Sequence, residues 1–376
     1  MPKIDLVTGF LGSGKTTFIK KYARALIDRG LTVGILENDY GAINIDMVFL
    51  DDLVGENCDV EMIVGGDGII SHSRRFKTKL ISMAMMGYDR VIVEPSGIYD
   101  TDEFFDAMEE DPLCKWYSPG SIISIVDAGM EDNISEETQY LLVSQTDCAG
   151  RIVLSRWGST PDEMQSSSES TGRILSMLNR AAEHFQSDRR FTESDILAKN
   201  WDELTPEDFE AIAGSGMVAS SHVKLPVHQN SGYGTLFYYG IKLDEETLRV
   251  NLARTFSDPA CGKVMRIKGF VRIIDQESAS VPDKSGIRIK EEAGGTDDLK
   301  NIPSGNGSRG NISGENAGSV REKNVQVNAT PDVIRVEPTI FAQQVLIITG
   351  EDLDRERIDG IWAGFAQIIT PGKTTM

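Results

Sequence analysis

A glycine-rich loop near the start of the chain constrains the fold more than any other feature. The stretch TGFLGSGKTT begins at Thr8, after the mostly apolar run Ile4–Val7, and Gly9–Thr16 fits the pattern G-x-x-x-x-G-K-[ST]. Glycines let consecutive backbone N–H groups turn inward around an anion, and the following helix presents its positive N-terminus. The sequence therefore predicts a strand, a phosphate-binding loop and a helix, in that order.

The residues of this loop have separate predicted roles. Lys15 is predicted to reach the β- and γ-phosphates of a nucleotide, the Thr16 hydroxyl to ligate Mg²⁺, and Thr17 to touch the α-phosphate. The alternative is a glycine-rich turn without a ligand, and the flanking strand and helix argue against it. Further phosphate contacts are predicted from Gly9, Gly12, Ser13 and Gly14.

Short, almost unbroken apolar runs alternate with helical segments through the first half of the chain. Beyond the first strand, strands are predicted at Thr32–Leu36, Arg90–Glu94, Ser121–Ala128 and Arg151–Ser155. Such runs are typical of a parallel sheet covered by helices on both faces. Residues 1–215 are therefore predicted to form a doubly wound, mainly parallel α/β domain of the P-loop NTPase type.

The pattern changes after about residue 214 and predicts a smaller α+β domain over residues 222–372. Alternating strands such as TLFYYGIKL and KVMRIKGFVRII flank the helical segment DEETLRVNLARTF. The segment from about 275 to 330 has no aromatic residue and is rich in Gly, Ser, Asn and Asp. It cannot bury enough apolar surface to offset chain entropy, so a disordered insertion is predicted there.

Charge and cysteine content limit the classes of partner and compartment. The formal net charge is 38 − 58 = −20, which disfavours binding to nucleic acid or to anionic membranes. No stretch approaches the length of a membrane span, and none resembles a signal peptide. The four cysteines are scattered without a CxxC pair, which indicates a reducing, cytoplasmic setting.

A second group of residues is predicted to sense the γ-phosphate. Glu94 lies where the apolar run RVIVE stops and is predicted to hold Mg²⁺ or its water, although a solvent-facing glutamate is the alternative. Gly97 follows in VEPSG and could offer its N–H to the γ-phosphate. Asp39 and Asp46, in ENDYGAINID, are candidate switch carboxylates.

These segments, taken in order, resemble the CobW-like family of metal-handling P-loop GTPases. The resemblance rests on TGFLGSGKTT, ENDYG–INID, VEPSG, SIISIVDA, QTDCAGRIVLS and GEDLDRERID, and covers most of the chain outside the insertion. It implies GTP and Mg²⁺ as ligands, with Lys15, Glu94 and Asp39 as catalytic or switch residues. Asp39 stands where the family usually has a glutamate.

The chain departs from this family at the metal-binding motif. CobW-like proteins usually carry Gly-Cys-x-Cys-Cys between the second strand and the second switch, a thiolate site suited to Zn²⁺. The corresponding stretch, Glu61–Ser73, contains no cysteine. Cys58, Asp67 and His72 lie nearby and could form a harder site, whereas a glycine-rich loop with a capping Asp and a surface His is the alternative. The client-metal site therefore stays unknown.

A second departure concerns recognition of the base. GTPases recognise guanine with Asn-Lys-x-Asp, but here Ser155, Arg156, Trp157 and Gly158 follow the strand RIVL. Ser155 can hydrogen-bond and Arg156 can lie along the base, whereas Gly158 has no carboxylate. Trp157 could stack on the base or pack in the core, and Asp162 is a conceivable substitute acid. The choice between GTP and ATP stays open at this point.

The resemblance implies a nucleotide hydrolase that switches its contact with a client. The expected client is a metalloenzyme, a corrinoid protein or another metallocofactor protein, as in metallochaperones. No arginine finger can be assigned from the sequence, so slow turnover is expected, accelerated by a partner or a homodimer. The alternative is a nucleotide-gated adaptor with little hydrolysis and no metal delivery.

Overall fold

The computed structural model of the chain describes most of both predicted domains. Within it no helix combines the length and apolar character that crossing a membrane requires. The described residues are 1–39, 50–64, 69–157, 167–223, 233–275, 321–340 and 344–366.

Seven parallel strands form the first sheet in the described part of the chain. Their order is β3-β2-β4-β1-β5-β6-β7. Because β1 is central, the loop after its carboxyl end lies at the middle of the sheet edge where ligands of such folds bind. The predicted doubly wound α/β fold is confirmed. The strands are β1 Lys3–Thr8, β2 Val33–Asp39, β3 Cys58–Val64, β4 Arg90–Pro95, β5 Ser118–Asp127, β6 Arg151–Ser155 and β7 Ile196–Leu197.

Helices cover both faces of this sheet. Phe18, Tyr22 and Leu26 recur every fourth residue along the first helix and are buried with Ile92 on one face. Leu6, Phe76 and Leu178 belong to the larger core on the other face. The helices are α1 Lys15–Asp28, α2 Ile69–Met85, α3 Asp102–Glu109, α4 Leu113–Trp116, α5 Glu136–Asp147, α6 Ser167–His184 and α7 Pro206–Ala213.

The second sheet is mainly antiparallel, in the order β12-β11-β10-β13-β8, and β9 pairs with β10 in parallel. One face packs on two helices around Ile267, Val327, Leu346 and the fully buried Trp362. The predicted smaller α+β domain is therefore present. Its elements are β8 Tyr233–Tyr239, β9 Lys242–Leu243, α8 Glu245–Ser257, β10 Lys263–Asp275, β11 Arg321–Thr330, β12 Val333–Pro338, β13 Val345–Glu351 and α9 Arg355–Trp362.

The predicted disorder over 275–330 is corrected at its C-terminal end. Arg321–Thr330 is strand β11, which pairs with β10 from Arg321 to Ala329. Val325, Val327 and Ala329 alternate with polar residues and are buried, so this segment has the period of a half-buried strand despite its polar composition. Residues 276–320 lie outside the described residues.

Contacts of the first domain extend beyond its predicted end at residue 215. The Val223 N–H donates to the Phe185 carbonyl over 2.8 Å, and the His222 ring lies 3.2 Å from the Asp147 carboxylate. Burial would raise the pKa of Asp147, but hydrogen bonds from His222 and neighbouring hydroxyls lower it overall. Residues 217–223 therefore pack on the first domain.

Candidate functional site

The loop between β1 and α1 has the backbone of an anion cradle. Gly9, Gly12 and Gly14 have positive φ angles of 145°, 75° and 95°, a region that favours glycine. A Cβ atom at Gly9 would lie 2.3 Å from the Ile125 carbonyl oxygen, so a side chain there would collide with β5. The loop leads directly into the N-terminus of α1, which begins at Lys15.

The Lys15 ammonium and the Thr16 hydroxyl are both held by hydrogen bonds at the start of this helix. Lys15 is only 4% exposed, and its Nζ donates to the Gly9 carbonyl over 2.9 Å. The Thr16 hydroxyl donates to Glu94 Oε1 over 2.9 Å. The structure thus brings together the predicted phosphate-binding lysine, the predicted Mg²⁺-ligating hydroxyl and the predicted carboxylate, which the sequence separates by 78 residues.

Glu37 is a buried carboxylate of the site that the sequence analysis did not identify. It is opposite Glu94 in the parallel register of β2 and β4, and the two side chains are 3% and 6% exposed. Side chains at paired positions of parallel strands lie on the same face of the sheet. A cavity of about 130 Å³ is bordered by Lys15, Glu37, Asn38 and Glu94.

Gly97 lies against the phosphate loop. A Cβ atom there would be 2.7 Å from the Leu11 backbone nitrogen, so only glycine permits this approach. Gln145 of α5 holds the segment, since its amide donates to the carbonyls of Gly97 and Tyr99 over 3.1 and 3.3 Å. The segment that contains Gly97 therefore contacts the phosphate loop directly.

Several predicted acidic residues lie, wholly or with their side chains, outside the described residues. Asp39 is the last residue of β2, and its side chain lies outside the described part of the structure, as do Asp46, Asp67 and Asp162. Cys58 on β3 and His72 on α2 are both buried. Among the described residues, no group of three or more His, Cys, Asp or Glu residues could hold a metal ion.

The loop after β6 borders a second cavity, of about 320 Å³, through Ser155, Arg156 and Trp157. Arg156 has a positive φ of 56°; its guanidinium forms an ion pair with Asp127 and donates to the Gly12 carbonyl over 3.1 Å. Trp157 borders the cavity and also packs on the core. Burial raises the pKa of Asp127 even though Arg156 opposes the rise.

A second wall of this cavity was missed by the sequence analysis. Asn200, Trp201 and Asp202 follow the two-residue strand β7 and border the cavity. The Trp201 ring lies 3.2 Å from where a Gly14 Cβ would be, and its Nε1 donates to the Leu154 carbonyl over 2.8 Å. The run ILAKNWDEL carries a weak signal, because a strand of two residues has little periodicity.

The residues present fit a magnesium-bound nucleotide. The cradle bends its backbone around a position next to the helix N-terminus, where an anion is favoured. Within the described residues, the buried hydroxyl oxygens of Ser13 and Ser155 have no hydrogen-bond partner and could serve a polar ligand. Oxygen ligands such as Thr16 and Glu94 are those that Mg²⁺ prefers.

The central cradle, the buried lysine and the threonine–glutamate pair define a P-loop nucleotide-binding domain. Residues 3–186 match the family model described as the CobW/HypB/UreG nucleotide-binding domain. The first domain of this chain is thus similar to those of the CobW-like family of P-loop GTPases.

Two curated relatives from Escherichia coli K12 are similar to this chain. The zinc chaperone YjiA is 26% identical over 162 residues, which are 41% of this chain and 48% of YjiA. The zinc chaperone YeiR is 28% identical over 128 residues, or 34% of this chain and 38% of YeiR. The chain thus spans about half the length of the curated relatives it matches, or less.

Among solved structures, a zinc-bound YjiA GTPase from E. coli aligns over 98% of this chain and 100% of its own, with a TM-score of 0.32 and 14% identity. A LAO/AO transport system kinase aligns over 51% of this chain and 50% of its own, with a TM-score of 0.31 and 21% identity.

We predict that changing Glu94 to Gln weakens the binding of Mg²⁺ together with the nucleotide. The amide keeps the hydrogen bond from Thr16 but removes the negative charge, so the Mg²⁺ concentration for half-maximal nucleotide binding should rise about 10- to 100-fold. Titration with a fluorescent guanine nucleotide measures this. The control is Glu61→Gln. Glu61 lies on β3, and its carboxylate pairs with Lys79 of α2. An unchanged Mg²⁺ requirement in Glu94→Gln would remove Glu94 from the metal site.

Proposed function

We propose that the chain binds a nucleoside triphosphate, GTP in the first instance, with Mg²⁺ and hydrolyses it slowly. Hydrolysis would switch its contact with a metal-dependent client in the cytoplasm. The observation that carries the proposal is the geometry at the start of α1. There Lys15 is buried against the cradle, and the Thr16 hydroxyl donates a hydrogen bond to Glu94. Such a lysine and hydroxyl serve the β- and γ-phosphates and Mg²⁺ in P-loop NTPases.

The proposed reaction is displacement at the γ-phosphorus. The oxygen of a water molecule bonds to phosphorus, the bond to the β–γ bridging oxygen breaks, and the diphosphate, inorganic phosphate and a proton leave. Lys15 stabilises negative charge on the phosphate oxygens, and Glu94 orients the metal or the water. When bound, Mg²⁺ supplies further charge neutralisation. Gly97 and Asp39 are proposed to sense the γ-phosphate and relax when it leaves.

The metal-related part of the proposal is supported by the family and its relatives. Because both curated relatives are zinc chaperones, Zn²⁺ is the first metal to test. The client is proposed to be a metalloenzyme or a metallocofactor protein, including corrinoid proteins. Nucleic acid and membranes are not proposed as partners, because the net charge of −20 disfavours both.

A nucleotide-gated adaptor without metal delivery is the second candidate. The observation that favours it is the absence of cysteine between Glu61 and Ser73, where the family usually has thiolates. The four cysteines are free, and two of them, Cys58 and Cys261, are buried. In this candidate the nucleotide would order the switches and the client surface, and hydrolysis would be negligible.

Single-turnover hydrolysis of GTP and ATP separates the two candidates. The leading proposal predicts Mg²⁺-dependent release of phosphate at about 10⁻⁴ to 10⁻² per second, the range of GTPases acting without a partner. Binding of GTP without hydrolysis over a day would favour the adaptor. Failure to bind either nucleotide would contradict both candidates. Omission of Mg²⁺ is the control.

A further inference from the structure

The C-terminal sheet presents one face to the phosphate loop. Alternate residues of its strands border the two cavities, whereas the residues between them pack under α8 and α9. This alternation is the normal consequence of strand pleating. The residues of the cavity-facing side include Thr235 and Phe237 on β8, Arg266 and Lys268 on β10, and Asn328 and Thr330 on β11.

A β-bulge on β10 lies directly before a cation of this face, Arg266. The register against β13 shifts between Val264 and Arg266. Val264 and Ile267 both belong to the core under the helices, whereas Arg266 borders the cavities. In a regular strand, residues two apart such as Val264 and Arg266 would share a face; because of the extra residue, Val264 faces the core and Arg266 shares the cavity face with Lys268. Bulges re-aim side chains in this way and are frequent beside active sites.

Arg266 lies at the boundary between two cavities, the one of about 320 Å³ beside the phosphate loop and the one of about 130 Å³ that Glu37 and Glu94 border. Both Lys15 and Arg266 border the two cavities. By contrast, Arg335 borders the larger cavity, and Lys268 borders the smaller one. The boundary is the position that the β–γ bond would occupy, because Lys15 serves the β- and γ-phosphates on one side and Glu94 lies on the other.

Contacts between the two domains fix β10 relative to the loop. The Phe10 and Tyr233 rings meet edge to face at 6.0 Å, and Met265, the residue before Arg266, packs in the same cluster as Phe10. On the next strand, Thr330 Cγ2 lies 3.0 Å from where a Gly12 Cβ would be. The Arg266 guanidinium therefore extends from a strand that lies between two contacts of the second sheet with the phosphate loop.

We propose that Arg266 is an internal arginine finger, a catalytic residue by which the C-terminal domain stabilises charge on the γ-phosphate in the transition state. The proposal rests on the proposed nucleotide hydrolysis and adds the group that the sequence did not reveal. The planar guanidinium can donate two parallel hydrogen bonds to phosphate oxygens. The displacement itself is unchanged: water adds, the bridging oxygen leaves, and Arg266 exchanges no proton.

Arg266→Ala and Arg266→Gln, made in the full chain, test this role. Both should lower the single-turnover rate at least about 100-fold while leaving the affinity for GDP within about threefold. The wild type should form a tight complex with GDP and aluminium fluoride, a mimic of the transition state, and both variants should lose it. Arg266→Lys should not restore it, because an ammonium lacks the paired donors.

Arg272→Ala is the matched control. Arg272 lies on the same face of β10 but near the other end of the strand. There it pairs with Glu322 over 3.0 Å. The variant should hydrolyse GTP and bind the fluoride complex as the wild type does. Wild-type behaviour of folded Arg266→Gln in both assays would overturn the inference, as would a loss of GDP affinity equal to the loss of rate.

The failure of the proposed function has a different signature. If the wild type binds GDP but hydrolyses neither GTP nor ATP, the proposed hydrolysis fails. A fluoride complex that depends on Arg266 would then still support the contact of this residue with the γ-phosphate position. The absence of such a complex in the wild type would overturn the inference too.

Discussion

Changing Lys15 to Ala should reduce the single-turnover rate of nucleotide hydrolysis by about 10²- to 10³-fold. The reason is the loss of a buried, pre-positioned positive charge at the β- and γ-phosphates, since removing one such group typically costs this much. Lys15 already donates to the Gly9 carbonyl, so its ammonium is held at the cradle before any nucleotide arrives. Affinity for the triphosphate should fall as well, and phosphate release from a preformed complex measures both effects.

Lys20→Ala is the control for this change. Lys20 belongs to the same helix but pairs with Asp52 over 2.7 Å at the surface, and its side chain is 41% exposed. Its removal lowers the local positive charge equally and should change the rate less than threefold. A Lys15→Ala protein that hydrolyses nucleotide at the wild-type rate would contradict the proposed function.

Changing Arg90 to Ala should destabilise the first domain by about 3–5 kcal/mol. Arg90 on β4 forms an ion pair with Asp5 on β1 over 2.7 Å, and Asp5 is fully buried. The guanidinium also donates to the Ala213 carbonyl at the end of α7. Asp5 in turn accepts hydrogen bonds from Tyr22 and from the Ser121 backbone. Without Arg90 a carboxylate would remain in the core without a counter-charge.

The effect of Arg90→Ala should depend on pH with a defined sign. Burial raises the pKa of Asp5 and Arg90 opposes this rise, so the pKa rises further when the arginine is removed. A carboxyl group with a raised pKa in the folded state costs stability when ionised and ceases to do so when protonated. The loss should therefore be largest at neutral pH and should shrink as the pH falls through the pKa of Asp5.

Urea denaturation of two further variants checks the origin of the effect. The double variant Asp5→Asn/Arg90→Met removes both charges and should recover much of the stability, because no unpaired charge remains. Arg29→Ala breaks an exposed pair between the residue that follows α1 and Glu210 of α7, at 3.1 Å, and should cost at most about 1 kcal/mol. Equal losses in Arg90→Ala and Arg29→Ala would contradict the argument.

Local sequence identified the parts of the site that lie within one segment. The cradle, Lys15 and Thr16 follow from a motif whose spacing is set by the geometry of one loop and one helix turn. Glu94 followed from its position at the end of an apolar run, since strand ends of a parallel sheet meet at one edge. Arg156 was likewise placed at the cavity, although its contact with the Gly12 carbonyl was not foreseen.

Residues contributed through strand pairing or domain contact were missed. Glu37 enters the site because β2 and β4 pair in a register that places it opposite Glu94. Trp201 enters because the segment after a very short strand folds back on Gly14. The polar strand β11 was missed because its order depends on pairing with β10 and on three small buried side chains, which its composition does not reveal.

The sequence by itself determined a central phosphate loop in a parallel α/β domain, because both depend on local periodicity and on glycine at defined positions. Only the tertiary structure decided that a second domain lies over this loop and that Arg266 borders its cavity. Regular pairing with β13 from Arg266 to Phe270 puts this arginine on the same face of β10 as Lys268, and the bulge before it turns Val264 towards the core. That register is set by pairing with β13, some eighty residues further along the chain, and no local pattern in the sequence encodes it.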